Sequence, residues 1–268
     1  MVKLNKDYVI IKINDKRIKT QKQIQQDLVG FNQHFPEFVD GRDKNAVKSF
    51  FQNNQNIKEL RPMRYGYLGH WISFLNTLVY MINNNIENIL VLEDDAILSK
   101  TFINDLDIYM AHMPEDYDFF IIYNSIPNSK NYLFSKNDVS NRVHQRVQID
   151  QNIENIHKDW DIGCSHIVKT YQRFGSVGQI FSLGGAKKII ELTEKNGFGI
   201  SRWKAKPFDM TMYSYSFNGI LNGYQPNPML GLDSLVTIND TIEGTDNETQ
   251  IQGTKYVYLT KLLEDSVG

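Results

Sequence analysis

The residues with the clearest chemical potential are three consecutive acids, Glu93, Asp94 and Asp95, which end the apolar run Asn88 to Leu92 in "NILVLEDDAILS". Carboxylates packed this closely repel one another and lose hydration, a cost that a bound cation offsets. Strand side chains alternate faces at about 3.3 Å per residue. Glu93 and Asp95 are therefore expected on one side, roughly 6 to 7 Å apart, with Asp94 on the other. Two hard oxygen donors suit Mg²⁺ or Mn²⁺, completed by water and phosphate oxygens. Two readings fit the acids alone: a metal site of the kind that nucleases and phosphatases also use, and a solvated strand end.

The elements that must carry these acids alternate between strand and helix. "ILVL" is a continuous apolar run, the mark of a strand covered on both faces. Before it, Leu68, Ile72, Leu75, Val79, Ile82 and Ile86 form one apolar stripe and predict a helix starting near Gly69. After it, Ser99 is the expected N-cap of a helix carrying Phe102, Leu106, Tyr109 and Met110. Tyr8 to Ile13 reads as a first strand, followed by a helix with Ile24, Leu28 and Phe31 on one side. "FPEFVDGR" (Phe35 to Arg42) reads as a second strand ending in an Asp-Gly turn, and Lys44 to Met63 as loop with some helix. "YDFFIIY" (Tyr117 to Tyr123) is another buried strand. "GSVGQIFSLGGAKKII" reads as strand, Gly-Gly turn and helix, with a further helix from Phe208 to Leu221 and an extended segment at "GYQPNPML". Residues 124–165 are polar and aperiodic and read as a lid or excursion. The tail 237–268 is polar, with "KYVYLTKLL" expected to dock back. One α/β domain over 1–268 with a mostly parallel sheet is the simplest account.

Composition narrows the classes. With 268 residues, 41% hydrophobic and 22% charged, the chain can bury a sizeable core. A net charge of -2 disfavours a duplex-DNA binder. A single cysteine, Cys164, permits no intrachain disulfide and leaves no Cys pair for zinc. The N-terminus does not read as a signal peptide, and no window reaches the ~20 apolar residues that span a bilayer. A cytoplasmic protein is expected, with peripheral attachment at an inner membrane an alternative. Asn239 and Asn247 match the glycosylation pattern, read here as chance. Frequent Asn, Lys and Ile fit AT-rich coding DNA, as in a bacterium or one of its viruses.

The context of the acids carries a resemblance. "GYLGHWISFLNTL…NILVLEDDAILS" resembles glycosyltransferase family 25, whose members show Gly-x-x-Gly-Cys-x-x-Ser-His, a helix, a strand and then Leu-Glu-Asp-Asp-Ala. Gly66, Gly69 and Ser73 match; His70 stands in place of the Cys and Phe74 in place of the His. "YVIIKINDKRIKTQ" is similar to the family's first strand and its Asn-Leu-Asp-Arg-Arg continuation. "FVDGRD" resembles its Val-Asp-Gly turn, and "YDFFIIYN" its Trp-Asp-Ile-x-Tyr-Leu strand. "GSVGQIFSLGGAKKII" resembles its Gly-x-x-Gly-Tyr stretch with Gln179 for the Tyr, and "KPFDM" its Pro-Val-Asp.

The resemblance implies a GT-A-like, Rossmann-type nucleotide-sugar-binding domain that moves a hexose from a nucleotide sugar, typically UDP-hexose, to an acceptor hydroxyl. A saccharide acceptor, as in lipopolysaccharide assembly, is expected. Glu93 and Asp95 would take the metal role with Mn²⁺ or Mg²⁺. Asn14, Arg17, Asp40, Gly41, Arg42, Ser73 and Asp94 would line the donor, and Asp209 would serve as general base, although an Asp after Pro207 equally suits a helix cap. Read singly, most of these are also ordinary turn or packing residues, His70 among them. Rival readings are a viral transferase acting on a modified nucleobase or a protein hydroxyl, a metal-dependent phosphoester hydrolase, and a catalytically silent binding module.

Overall fold

The computed structural model describes residues 2–12, 17–57, 63–122, 167–170, 176–201, 204–226, 236–238 and 256–257. Asn14, Cys164, Asn239, Asn247, the 124–165 segment and most of the tail lie outside the described residues.

The central sheet has seven strands: β1 (Asp7–Ile11), β2 (Asn32–His34), β4 (Asn88–Glu93), β6 (Phe119–Ile121), β7 (Ile167–Lys169), β8 (Gly178–Ser182) and β11 (Gly223–Pro226). Their order across the sheet is β2-β1-β4-β8-β6-β11-β7. β1 runs parallel to β2 and β4, and β11 parallel to β6, while β8 is antiparallel to β4 and β6, and β7 to β11. Hence β2, β1, β4, β6 and β11 share one direction and only β8 and β7 oppose it. This mostly parallel α/β sheet is consistent with a GT-A-like fold.

Six helices lie among the described residues: α1 (Ile18–Asp27), α2 (Lys44–Asn53), α3 (Tyr65–Asn83), α4 (Phe102–Ala111), α5 (Leu183–Asn196) and α6 (Phe208–Phe217). Strand alternation splits the core in two. Val9, Ile11, Ile89 and Val91 face α2, α3, α5 and α6; Tyr8, Ile10, Leu90 and Leu92 face α1 and α4. Both faces of β1 and β4 are thus apolar, which is why these strands read as unbroken apolar runs.

Several expectations shift. α3 starts at Tyr65, four residues before Gly69, and its middle, Leu68 to Leu78, is buried almost all round. Val79 of the expected stripe is exposed, because the helix is clamped between the sheet and its neighbouring helices and Leu78 and Met81 take the core. The second strand is Asn32–His34, not Phe35–Arg42; it is a short polar edge strand, and the buried Pro36 follows it. The turn at Gly41–Arg42 stands, closed by the Asp43 N–H donating to the Asp40 carbonyl at 2.9 Å. α2 is a full helix capped by Asp43, which accepts from the Asn45 and Ala46 N–H groups. Ser99 does not cap α4; Thr101 occupies that position, and the Ser99 hydroxyl is buried without a partner. α4 buries Phe102, Leu106, Tyr109 and Met110 as the spacing requires.

No Gly-Gly turn separates β8 from α5. Ser182 ends the strand and caps the helix by accepting from the Gly185 N–H at 2.9 Å, so Gly184 and Gly185 lie in the first helical turn. Two late segments return to the core region. β12 (Val236–Ile238) pairs antiparallel with β5 (Ala96–Leu98), directly after the acids. β13 (Tyr256–Val257) pairs with β3 (Met63–Arg64), as the docking of "KYVYLTKLL" anticipates. A last hairpin, β9 (Gly199–Ser201) with β10 (Lys204–Ala205), leads into α6. No described helix is long and apolar enough to cross a membrane.

Candidate active site

β1 and β4 are parallel neighbours with Ile11 opposite Glu93, so their carboxyl ends open onto the same edge of the sheet. Segments leaving parallel strands at this edge gather where ligands bind in open α/β sheets. Here they bring together side chains far apart in sequence. Arg17, entering α1, places Nη1 2.7 Å from Asp94 Oδ1 and 2.8 Å from Asp95 Oδ2. This corrects the expectation that Asp94 turns away from Asp95. β4 ends at Glu93, alternation stops there, and the two aspartates lie in a turn that folds both onto one guanidinium. Asp94 is fully buried.

Glu93 keeps the strand's facing and points to the α3 side. Its Oε1 accepts from Ser176 Oγ at 2.6 Å and from His70 Nε2 at 3.0 Å; Ser176 Oγ lies 2.7 Å from the same nitrogen. Burial pushes Glu93 toward the neutral form, but the hydrogen bond and charge of His70, the Ser176 hydroxyl and Arg17 outweigh it and hold its carboxyl below the usual range. Burial likewise pulls His70 down, and the bond to Glu93, with the charges of Glu93, Asp209 and Asp95, reverses this and raises it. The two side chains lie within ion-pair distance, each only 15% exposed, and each favours the charged form of the other.

Asp95 behaves differently. Burial and the Glu93 charge raise its pKa to about 6, against the opposing pull of Arg17. Its Oδ1 is buried with no hydrogen-bond partner. A carboxylate with one oxygen left unmet at the end of a sheet has room in its chemistry for a hard cation. Among the described residues no three His, Cys, Asp or Glu side chains form a preformed metal cluster. A cation at Asp95 would therefore complete its shell with water and ligand phosphates, as Mg²⁺ commonly does.

α3 presents His70 through close glycine packing. A Cβ on Gly69 would fall on the Gly41 N–H and 2.6 Å from the Val39 carbonyl oxygen, and one on Gly41 would fall on the Tyr65 carbonyl. The Asp40–Arg42 turn therefore seats directly on the start of α3, one residue from His70. Ser73 Oγ accepts the Val39 N–H at 3.0 Å and fixes the same segment; it is buried. Arg42 Nε lies 2.9 Å from both Asp40 oxygens, a forked pair inside the turn that keeps Asp40 below its usual range despite burial.

α6 closes the site. Trp71 Nε1 donates to the Lys206 carbonyl at 2.7 Å, and Phe74 stacks on Phe208 with centroids 4.2 Å apart. Phe74, which replaces a family His, thus serves as packing that seats α6. The next residue, Asp209, lies in the first turn of α6, and its charge acts on His70.

Arg17, Glu93, Asp94 and Asp95 thus meet at one end of the sheet, Asp209 lies near enough for its charge to act on His70, and Asp40, Gly41, Arg42 and Ser73 lie on the adjoining turn and helix. Sequence reasoning missed Ser176 and assigned His70 to packing. The signals were present: His70 follows the glycine on which a second segment rests, and Ser176 lies inside "GSVG" next to a strand that pairs with β4.

No curated protein matches the chain. A family model does: that of Glycosyltransferase family 25 (LPS biosynthesis protein), over residues 5–212. Every residue of the cluster falls within that span. The chain belongs to glycosyltransferase family 25.

Proposed function

We propose that the chain transfers a hexosyl group from a nucleoside-diphosphate sugar, UDP-hexose in the first instance, to a saccharide hydroxyl, using a divalent cation at Asp95. The observation that carries this reading is the buried, unpartnered Asp95 Oδ1 beside Glu93 and Arg17 at the carboxyl ends of β1 and β4. Asp95, with Glu93 behind it, would hold Mn²⁺ or Mg²⁺. Such a cation neutralises the departing diphosphate.

The remaining work falls to the chain's own side chains. Arg17 and Arg42 offer guanidinium forks to phosphate oxygens. The Asp40–Gly41–Arg42 turn, held by Ser73, offers backbone and carboxylate groups to the nucleoside. Asp94 holds Arg17 at this edge of the sheet while no donor is bound. Asp209 accepts the acceptor's hydroxyl proton as that oxygen attacks the anomeric carbon. The His70–Glu93–Ser176 cluster fixes Glu93 so that the acids keep one geometry.

Screening nucleotide sugars for slow hydrolysis and for transfer to saccharides in Mn²⁺ tests the reading. One donor should turn over, and Asp95→Asn should lower turnover at least ~100-fold, the scale of losing a principal electrostatic contact. Asp209→Asn should lower transfer more than donor affinity. Turnover untouched by Asp95→Asn would refute the assignment.

A further inference from the structure

On the reading that Asp95 holds a divalent cation, we propose that Arg17 is a built-in competitor for that cation, which the donor diphosphate draws away. The chain would then bind metal and nucleotide together and neither well alone. One guanidinium nitrogen bridges Asp94 and Asp95 at 2.7 and 2.8 Å, so it occupies the point where the two carboxylates converge. A divalent cation sits about 2.0 to 2.2 Å from carboxylate oxygen. A guanidinium held on Asp94 Oδ1 and Asp95 Oδ2 then lies within a few Å of a cation on the same carboxylates, and like charges at such separation repel strongly. Asp95 Oδ1, buried and without a partner, shows that Arg17 satisfies only half of this carboxylate.

Arg17 is also suited to leave. Its side chain is 23% exposed, whereas the Asp94 side chain is fully buried. A diphosphate offers the same planar fork a denser set of anionic oxygens. Moving Arg17 from the acids to the phosphates exposes both aspartates to the cation and adds a positive group to the leaving diphosphate. Arg17 acts here as a positioning residue for the cation and as a ligand of the phosphates.

The test uses the full chain and Mn²⁺ alone as first probe, followed by titration calorimetry in the presence and absence of UDP. Wild type should bind Mn²⁺ weakly alone and at least tenfold more tightly with saturating UDP. Arg17→Gln should bind Mn²⁺ alone at least tenfold more tightly than wild type, bind UDP more weakly, and lose most of the mutual enhancement. Arg17→Lys, which keeps a cation, should stay near wild type for Mn²⁺ alone. Arg17→Gln that folds yet binds Mn²⁺ no more tightly than wild type overturns the proposal. If Arg17→Gln does not fold, thermal melting of the wild type decides. Mn²⁺ alone should leave its Tm nearly unchanged and Mn²⁺ with UDP should raise it; a full rise with Mn²⁺ alone overturns the proposal. Absence of Mn²⁺ binding even with UDP would remove the cation reading itself, a distinct outcome that overturns both.

Discussion

Two buried carboxylates two residues apart meet opposite fates. Glu93 is favoured as an anion by His70 and Ser176, whereas Asp95 is pushed toward its neutral form with a pKa of about 6. The signs of their pH dependence follow. Asp95, at 3.8 in the unfolded chain, binds its proton more tightly when folded, so stability falls as pH rises from about 4 to 6 and the penalty persists above. Asp95→Asn, although expected to impair transfer, should therefore stabilise the fold at pH 8 by about 2 to 3 kcal/mol, with the gain vanishing below about pH 4. Urea denaturation at the two pH values checks this; equal gains at both would contradict it. The His70–Glu93 pair works the other way. Its contribution is complete between the unfolded carboxyl and imidazole values. It fades as pH falls through the lowered Glu93 value or rises through the raised His70 value. His70→Gln should cost about 3 kcal/mol near pH 6, because an uncompensated acid is left in a nearly buried site, and less at pH 9.

At the scale of elements, the site depends on close backbone packing that only glycine allows. Gly69 lets the Asp40–Arg42 turn rest on α3, and Gly185 lets α5 rest on the Asp118 carbonyl at the start of β6. Gly69→Ala and Gly185→Ala should each destabilise the protein by about 1 to 3 kcal/mol. Gly69→Ala should in addition weaken UDP binding, since it lifts the turn, and Gly185→Ala should not. A thermal melt and a UDP titration separate the two effects. The sequence made the strongly patterned elements readable: β4 and α4 are continuous or periodic in apolar residues over their whole length. β2 was not legible, because "NQH" is a three-residue polar edge with no alternation. The width of the buried face of α3 was also hidden. One stripe describes a helix packed on one side, and this helix is packed on several.

Over the whole molecule, what stayed out of reach was long-range pairing. The acid triplet and its setting were visible in "LEDDA". That Arg17 would grip Asp94 from 77 residues away, or Ser176 reach Glu93 from 83, depends on sheet order, which local spacing does not encode. The same order makes the chain beyond the family-matched span part of the fold. β11 lies between β6 and β7, and Tyr224 on it is buried. A chain ending at Met212 should therefore lose cooperative unfolding in urea, as it removes β11 and half of α6; a sharp transition near that of the full chain would contradict this. The central claim is that the carboxyl ends of β1 and β4 form one cation–diphosphate site. UDP titration of wild type and Asp95→Asn, each with and without Mn²⁺, tests it most directly. The account predicts UDP affinity that rises at least tenfold with Mn²⁺ in wild type and does not rise in Asp95→Asn. Equal Mn²⁺ enhancement in both proteins, or none in wild type, would contradict it.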